Sequence, residues 1–148
     1  MRLKAREDVL ERGRGTFPLT VVGVIESRIL TVEQAPRQGH DGAPDAWLEV
    51  DAAFLPALTG IEAGDELIVV TWLHRACRWV LEVYPRDDRA SALAGVFATR
   101  SQHRPNPLGL HRVVVRERAG ARLRIGPIEA INGTPVVDIK VVLDDGGV

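Results

Sequence analysis

The strongest hydrophobic pattern in the chain is the run from Glu66 to Leu73, ELIVVTWL. It has the length of a strand, and its continuous apolar middle predicts burial on both faces. From Arg78 to Tyr84, Trp79, Leu81 and Val83 alternate with Arg78, Val80 and Glu82, which predicts a half-buried strand. Leu19 to Ile25 is a β-rich run interrupted by Gly23, and Ile29 to Val32 is expected to continue it after a bend. Gln34 to Pro44 is a loop with two prolines and two glycines. Trp47 to Val50 predicts a further strand, and Ala52 to Leu58 one or two helical turns closed by Gly60 to Gly64. His111 to Glu117 and Ala121 to Ile125 read as a hairpin around Arg118-Ala119-Gly120. Its Leu123 and Ile125 lie on a dry face, and Arg122 and Arg124 on a wet one. Val136 to Leu143 is the last strand, entered through Asn132-Gly133-Thr134-Pro135. Many short strands, Gly/Pro turns and little helix predict a mainly β fold: a small single-domain β-barrel with one or two short helices. Residues 1–16 read as a polar N-terminal arm, and residues 17–148 as the barrel domain.

Composition narrows the function classes. The chain has 148 residues, 45% hydrophobic and 26% charged, ordinary values for a globular domain. No apolar run reaches the length of a membrane helix and no signal peptide opens the sequence, so the expected address is cytoplasmic, with no membrane partner. Cys77 is the only cysteine, which excludes an intrachain disulfide and a cysteine-cluster zinc site. No metal is expected.

The net charge of −1 hides an uneven distribution. Asp41, Asp45, Glu49, Asp51, Glu62, Asp65 and Glu66 form an acidic stretch without Lys or Arg. From Arg100 to Arg124 there are seven arginines and one acid, Glu117. Two readings of that basic stretch stay open: it meets phosphates, or it lines the wet faces of strands.

Chemistry concentrates in Gly95-Val-Phe-Ala-Thr-Arg-Ser-Gln-His-Arg-Pro-Asn-Pro-Leu-Gly-Leu110. It opens as a short apolar strand, Gly95 to Ala98, and then breaks into a loop. Pro105 and Pro107 lack an N–H donor and push Arg104 and Asn106 towards extended geometry. A stiff loop carrying Arg100, Ser101, His103, Arg104 and Asn106 loses less entropy when it orders around a ligand. That density of polar groups favours a binding loop over a plain connection.

This stretch resembles the signature loop of the TrmO/TsaA-like family of S-adenosyl-L-methionine-dependent tRNA methyltransferases. Gln34-Ala-Pro-Arg-Gln38 and Asn132-Gly-Thr-Pro-Val-Val-Asp-Ile-Lys140 support the resemblance, which runs from about Leu19 to Val142. It implies a single-sheet β-barrel rather than a doubly wound methyltransferase fold. The sequence also lacks a Gly-x-Gly-x-x-Gly strand-to-helix fingerprint. It implies S-adenosyl-L-methionine as methyl donor, tRNA as substrate, and methylation of N6 of threonylcarbamoyladenosine beside the anticodon. It implies a homodimer with the active site near the subunit interface. Donor contacts are implied for Pro36, Arg37, Gln38, His74, Arg75, Arg100, Leu110, Ile131, Asn132, Gly133 and Thr134. Substrate contacts are assigned to His103, Arg104 and Asn106, with loop bracing as the other reading of the last two.

Asp138 lies between Val137 and Ile139 with Lys140 on the same strand face. It is either half of a structural ion pair or a catalytic group that orients or deprotonates the acceptor. Asn132 stands where family members usually carry Asp. It keeps an acceptor oxygen but not the charge. Val141-Val142 replaces a common Pro-Tyr and removes a possible aromatic stacking partner. These departures motivate two other readings: a donor-binding sensor or interaction module without turnover, and a methyltransferase acting on a different RNA or a small molecule.

Overall fold

A computed structural model of the chain describes residues 9–144. Residues 1–8 of the expected arm lie outside the described residues. The chain divides into a barrel unit, from Leu19 to Trp72 and from Gly109 onward, and a loop unit, from Leu73 to Leu108 with the described residues up to Pro18.

Among the described residues eight strands form: β1 (Gly23–Glu26), β2 (Ala46–Val50), β3 (Glu66–Trp72), β4 (Glu82–Val83), β5 (Ala94–Gly95), β6 (Leu108–Ala119), β7 (Arg122–Gly126) and β8 (Pro135–Val141). Six close into a barrel in the order β1-β2-β7-β6-β3-β8. The expected mainly β barrel is the fold observed. Period-two alternation places its core. Leu67 and Val69 of β3, Val113 and Val115 of β6, Leu123 and Ile125 of β7, and Leu48 of β2 are all buried. The burial of Leu67, Ile68 and Val69 in succession agrees with the continuous apolar run.

β1 is shorter than the run from Leu19 to Ile25 suggests. It begins at Gly23, where pairing to Val50 on one side and Val136 on the other starts. A Cβ on Gly23 would lie 2.6 Å from the Glu49 carbonyl oxygen, so only glycine lets β1 approach β2 this closely. Ile29 to Val32 does not continue the strand. Asn132 N–H takes the Ile29 carbonyl, and Val32–Gln34 winds into a 3-10 turn. Among the elements that lie wholly within the described residues, the longest helical one is the 3-10 segment Ala52–Leu58, where Asp51 accepts from Ala53 N–H at 2.9 Å as an N-cap.

The two charge runs explain each other. Arg112 pairs with Glu66 at 2.7 Å. Arg116 and Arg124 both reach Asp45, at 3.5 and 3.1 Å. Arg122 pairs with Glu26 and lies 4.6 Å above the Trp47 ring. Arg118 donates to the carbonyls of Leu58 and Ile61, closing the 3-10 segment. These five arginines of the basic stretch therefore stitch strands and turns on the wet face of the barrel.

The loop unit has little regular structure. β4 and β5 pair over two residues each, Glu82 with Gly95 and Val83 with Ala94. The half-buried strand expected from Arg78 to Tyr84 is thus confined to Glu82–Val83. A strand needs a ladder partner, and the facing segment turns away at Val96. Trp79 and Leu81 of that expected dry face are 36% and 49% exposed. The expected strand Gly95 to Ala98 is likewise replaced after Gly95 by a 3-10 turn, Val96–Ala98, with Val96 buried and Phe97 85% exposed. The Val96 carbonyl accepts from Thr99 N–H, Thr99 Oγ1 and Arg104 Nη2, which ties it into a turn rather than a ladder.

Candidate functional site

In the loop unit, the sequence places its polar groups and the chain then fixes them by short-range bonds. Ser101 N–H donates to Thr99 Oγ1 at 3.1 Å, and His103 N–H to Ser101 Oγ at 3.2 Å. Such side-chain turns hold a segment that has no ladder. Arg104 is turned inward. Its Nη2 bonds the carbonyls of Val96 and Thr99, the latter at 3.0 Å. Its buried Nε has no partner among the described residues. Bracing is therefore what Arg104 does here. Asn106 Oδ1 accepts from Arg78 Nη2 at 3.2 Å, while Arg78 Nε donates to the Pro105 carbonyl at 2.6 Å. His103 Nδ1 accepts the Cys77 N–H at 2.9 Å, so the neutral ring presents its proton on Nε2.

Arg100, at the mouth of the same loop, is exposed, with no hydrogen bond or ion pair among the described residues. It is a guanidinium available to a carboxylate or phosphate. His74 and Arg75 occupy the turn that leaves β3, also exposed. Partial burial holds His74 below the usual imidazole range, and the neighbouring Arg75 charge lowers it further.

In the barrel unit, Pro36 lines an open recess of about 330 Å³ with Arg28, Ile29, Gln34, Gly42 and Pro44. That volume sits at the low end of the roughly 300–1,000 Å³ typical of small-molecule sites. Arg37 is exposed and Gln38 half-buried at its margin in sequence. The turn Ile131–Thr134 is bound to the segment that supplies Arg28 and Ile29. Asn132 Oδ1 accepts from Ser27 N–H at 3.1 Å, and Asn132 N–H donates to the Ile29 carbonyl at 2.7 Å. Gly133 adopts φ +84°. Thr134 is buried, its hydroxyl donating to the Ile131 carbonyl at 2.7 Å. Thus the structure brings Pro36 and the 131–134 turn onto one wall of the barrel unit. An amide oxygen serves at Asn132 where only an acceptor is needed.

Leu110 is 45% exposed on the outward phase of β6. Asp138 is also outward and exposed. Its Oδ2 lies 3.1 Å from Lys140 Nζ, and its Oδ1 accepts from Ile139 N–H. In the barrel unit, the recess has an apolar wall in Ile29, Pro36 and Pro44 and an exposed arginine, Arg28, which suit the adenine and carboxylate of S-adenosyl-L-methionine.

Thr71, His111 and Glu129 belong to none of the sequence motifs, yet they form a polar chain in the barrel unit, with Thr71 and His111 buried and Glu129 half-buried. His111 Nδ1 lies 2.6 Å from Glu129 Oε1, and His111 Nε2 lies 2.7 Å from Thr71 Oγ1. The available signal is the period of β6, in which His111 shares the inward phase of Val113 and Val115.

Residues 24–145 match the model of the tRNA-methyltransferase O N-terminal domain family. A probable S-adenosyl-L-methionine-binding protein of Methanothermobacter thermautotrophicus is 40% identical over 124 residues, 84% of this chain and 88% of that protein. One from Archaeoglobus fulgidus is 45% identical over 122 residues, 82% of this chain but 33% of its own length. A crystal structure of TrmO from Pseudomonas aeruginosa superimposes with a TM-score of 0.72 at 28% identity, covering 93% of this chain and 59% of that one. The chain therefore spans only part of the Archaeoglobus and Pseudomonas proteins.

Proposed function

Because the chain belongs to the tRNA-methyltransferase O N-terminal domain family, we propose that it is an S-adenosyl-L-methionine-dependent methyltransferase that methylates N6 of threonylcarbamoyladenosine beside the tRNA anticodon. The observation that carries this reading is the Gly95–Leu110 loop. It holds its shape by internal bonds through Arg104, Thr99 and Ser101 while leaving Arg100 exposed and, among the described residues, without an ion pair. A preordered loop with an available cation suits an anionic ligand group.

The donor supplies an already activated methyl on a sulfonium, so the protein's part is positioning and proton handling. In this reading Arg100 binds the donor carboxylate. The Pro36–Gln38 loop and the 131–134 turn are donor contacts. His74, whose pKa is lowered by burial and then by Arg75, favours the uncharged ring and contributes a hydrogen bond. Asp138, oriented by Lys140, is the candidate acceptor for the proton that leaves the nitrogen. The active form is a cytoplasmic homodimer with the site near the subunit boundary.

The test is methyl transfer from labelled S-adenosyl-L-methionine to purified tRNA with and without the threonylcarbamoyl group. Incorporation into modified tRNA alone is expected. A second reading, donor binding without turnover, has its own support: the two archaeal relatives are described as probable S-adenosyl-L-methionine-binding proteins. Calorimetric donor binding with no incorporation into either tRNA would establish that second reading instead.

A further inference from the structure

We propose that Thr71, His111 and Glu129 form a positioning device that seats the Pro36–Gln38 loop from inside the barrel. The relevance to the donor rests on the function proposed above; the seating itself does not. His111 is 5% exposed and Thr71 fully buried. A carboxylate only accepts, so His111 Nδ1 carries the proton in the bond to Glu129 Oε1. When the ring is neutral, its Nε2 accepts from the Thr71 hydroxyl. Both nitrogens are thus satisfied, the ring cannot flip without losing both bonds, and the Glu129 carboxylate is held at one end of a rigid chain.

The other carboxylate oxygen faces the loop. A Cβ placed on Gly39 would lie 3.3 Å from Glu129 Oε2 and 2.9 Å from the Pro127 carbonyl oxygen. Gly39 directly follows Gln38, so the loop backbone lies flush on Pro127–Glu129, with no room for a side chain. The loop's far end rests on the same segment through Ile128 N–H to the Pro44 carbonyl at 3.0 Å. Between these points Asp41 N–H bonds the Gln38 carbonyl and Ala43 N–H the Gly39 carbonyl, each at 3.1 Å. Apolar residues of similar volume would fill the barrel interior as stably as a buried polar chain. What they would not supply is a side chain fixed beneath Gly39 by its bond to His111.

The test combines amide hydrogen exchange with calorimetry using S-adenosyl-L-homocysteine. Glu129→Ala is expected to speed exchange at Asp41 and Ala43 about tenfold and to weaken ligand binding by a similar factor, the scale of the charge-assisted Glu129–His111 hydrogen bond that fixes the seat. The amides of Ile25 and Val50, bonded within the barrel wall, should exchange as before. Glu129→Gln should restore both readouts, because its amide oxygen still accepts from His111. Gly39→Ala, which leaves the buried chain intact, should unseat the loop in the same way. Unchanged exchange at Asp41 and Ala43 in Glu129→Ala would overturn the inference, whatever Gly39→Ala does and whether or not ligand binds. So would uniform loss of protection across the barrel in Glu129→Ala with Gly39→Ala like the wild type, the result expected of a purely structural role. Failure of the wild-type protein to bind ligand, with the exchange result as expected, would instead contradict the proposed function and leave the seat standing.

Discussion

The barrel unit and the loop unit hold themselves together by different means. In the barrel unit, alternating apolar residues fill the interior and the outer arginines are matched to acids or turn carbonyls. In the loop unit, two-residue strands provide almost no ladder, and the half-buried Arg104 guanidinium and a series of Ser and Thr turns take its place. Left-handed backbone differs too. Among the described residues, every positive φ in the barrel unit belongs to glycine, whereas the loop unit holds Arg86 and Asp87 at +52° and +58°. Non-glycine residues in that region cost on the order of 1 kcal/mol or more and persist where surrounding structure enforces them. Cationic groups that stabilise the barrel are already occupied; the loop unit keeps Arg100 available. A cluster of arginines in sequence therefore says little about ligand binding until their partners are known.

The largest effect should come from breaking the apolar side of this comparison. Leu123 is fully buried in the barrel core, so Leu123→Ala should lower unfolding free energy by about 3 kcal/mol, read from denaturant midpoints. Next is the polar side. Arg104→Ala strips the Val96 and Thr99 carbonyls of a shared donor, and should cost about 2 kcal/mol. The loss should appear as faster proteolysis within 73–108, with barrel amide protection unchanged. An equal loss of protection in both units would break the comparison.

A smaller effect sharpens it. The His74 titration followed by NMR should have its midpoint below 6.5. Between that midpoint and 6.5 the unfolded chain binds more protons, so stability from this group rises with pH through the window and is lost as pH falls through the folded midpoint. Arg75→Ala should raise the midpoint only part of the way, because burial is the larger cause. Full return to 6.5 would make Arg75 the dominant influence.

The barrel strands were legible because each alternates or runs apolar at the right length: β3, β6 and β7 appear within a few residues of their expected places. The loop unit was less so. The alternation of Trp79, Leu81 and Val83 has the period of a strand, but pairing depends on a distant segment that turns at Val96. Where the motifs lie was readable, but not what they touch. Arg104 carries no sign in sequence that it points inward, and His111 is marked only by its phase with Val113 and Val115. The pairing of the acidic run with the basic one needed the strand order, since Asp45 and Arg124 become neighbours only when β2 lies beside β7.

Two arginine variants, assayed by S-adenosyl-L-methionine calorimetry and thermal unfolding, test this division of labour most directly. Arg100→Ala should weaken donor binding about tenfold or more, the scale of lost hydrogen bonds to a charged group, with its melting temperature unchanged. Arg124→Ala, which removes one of two arginines on Asp45, should bind donor normally and lose at most about 1 kcal/mol of stability. Donor affinity that is unchanged in Arg100→Ala but reduced in Arg124→Ala would contradict the account.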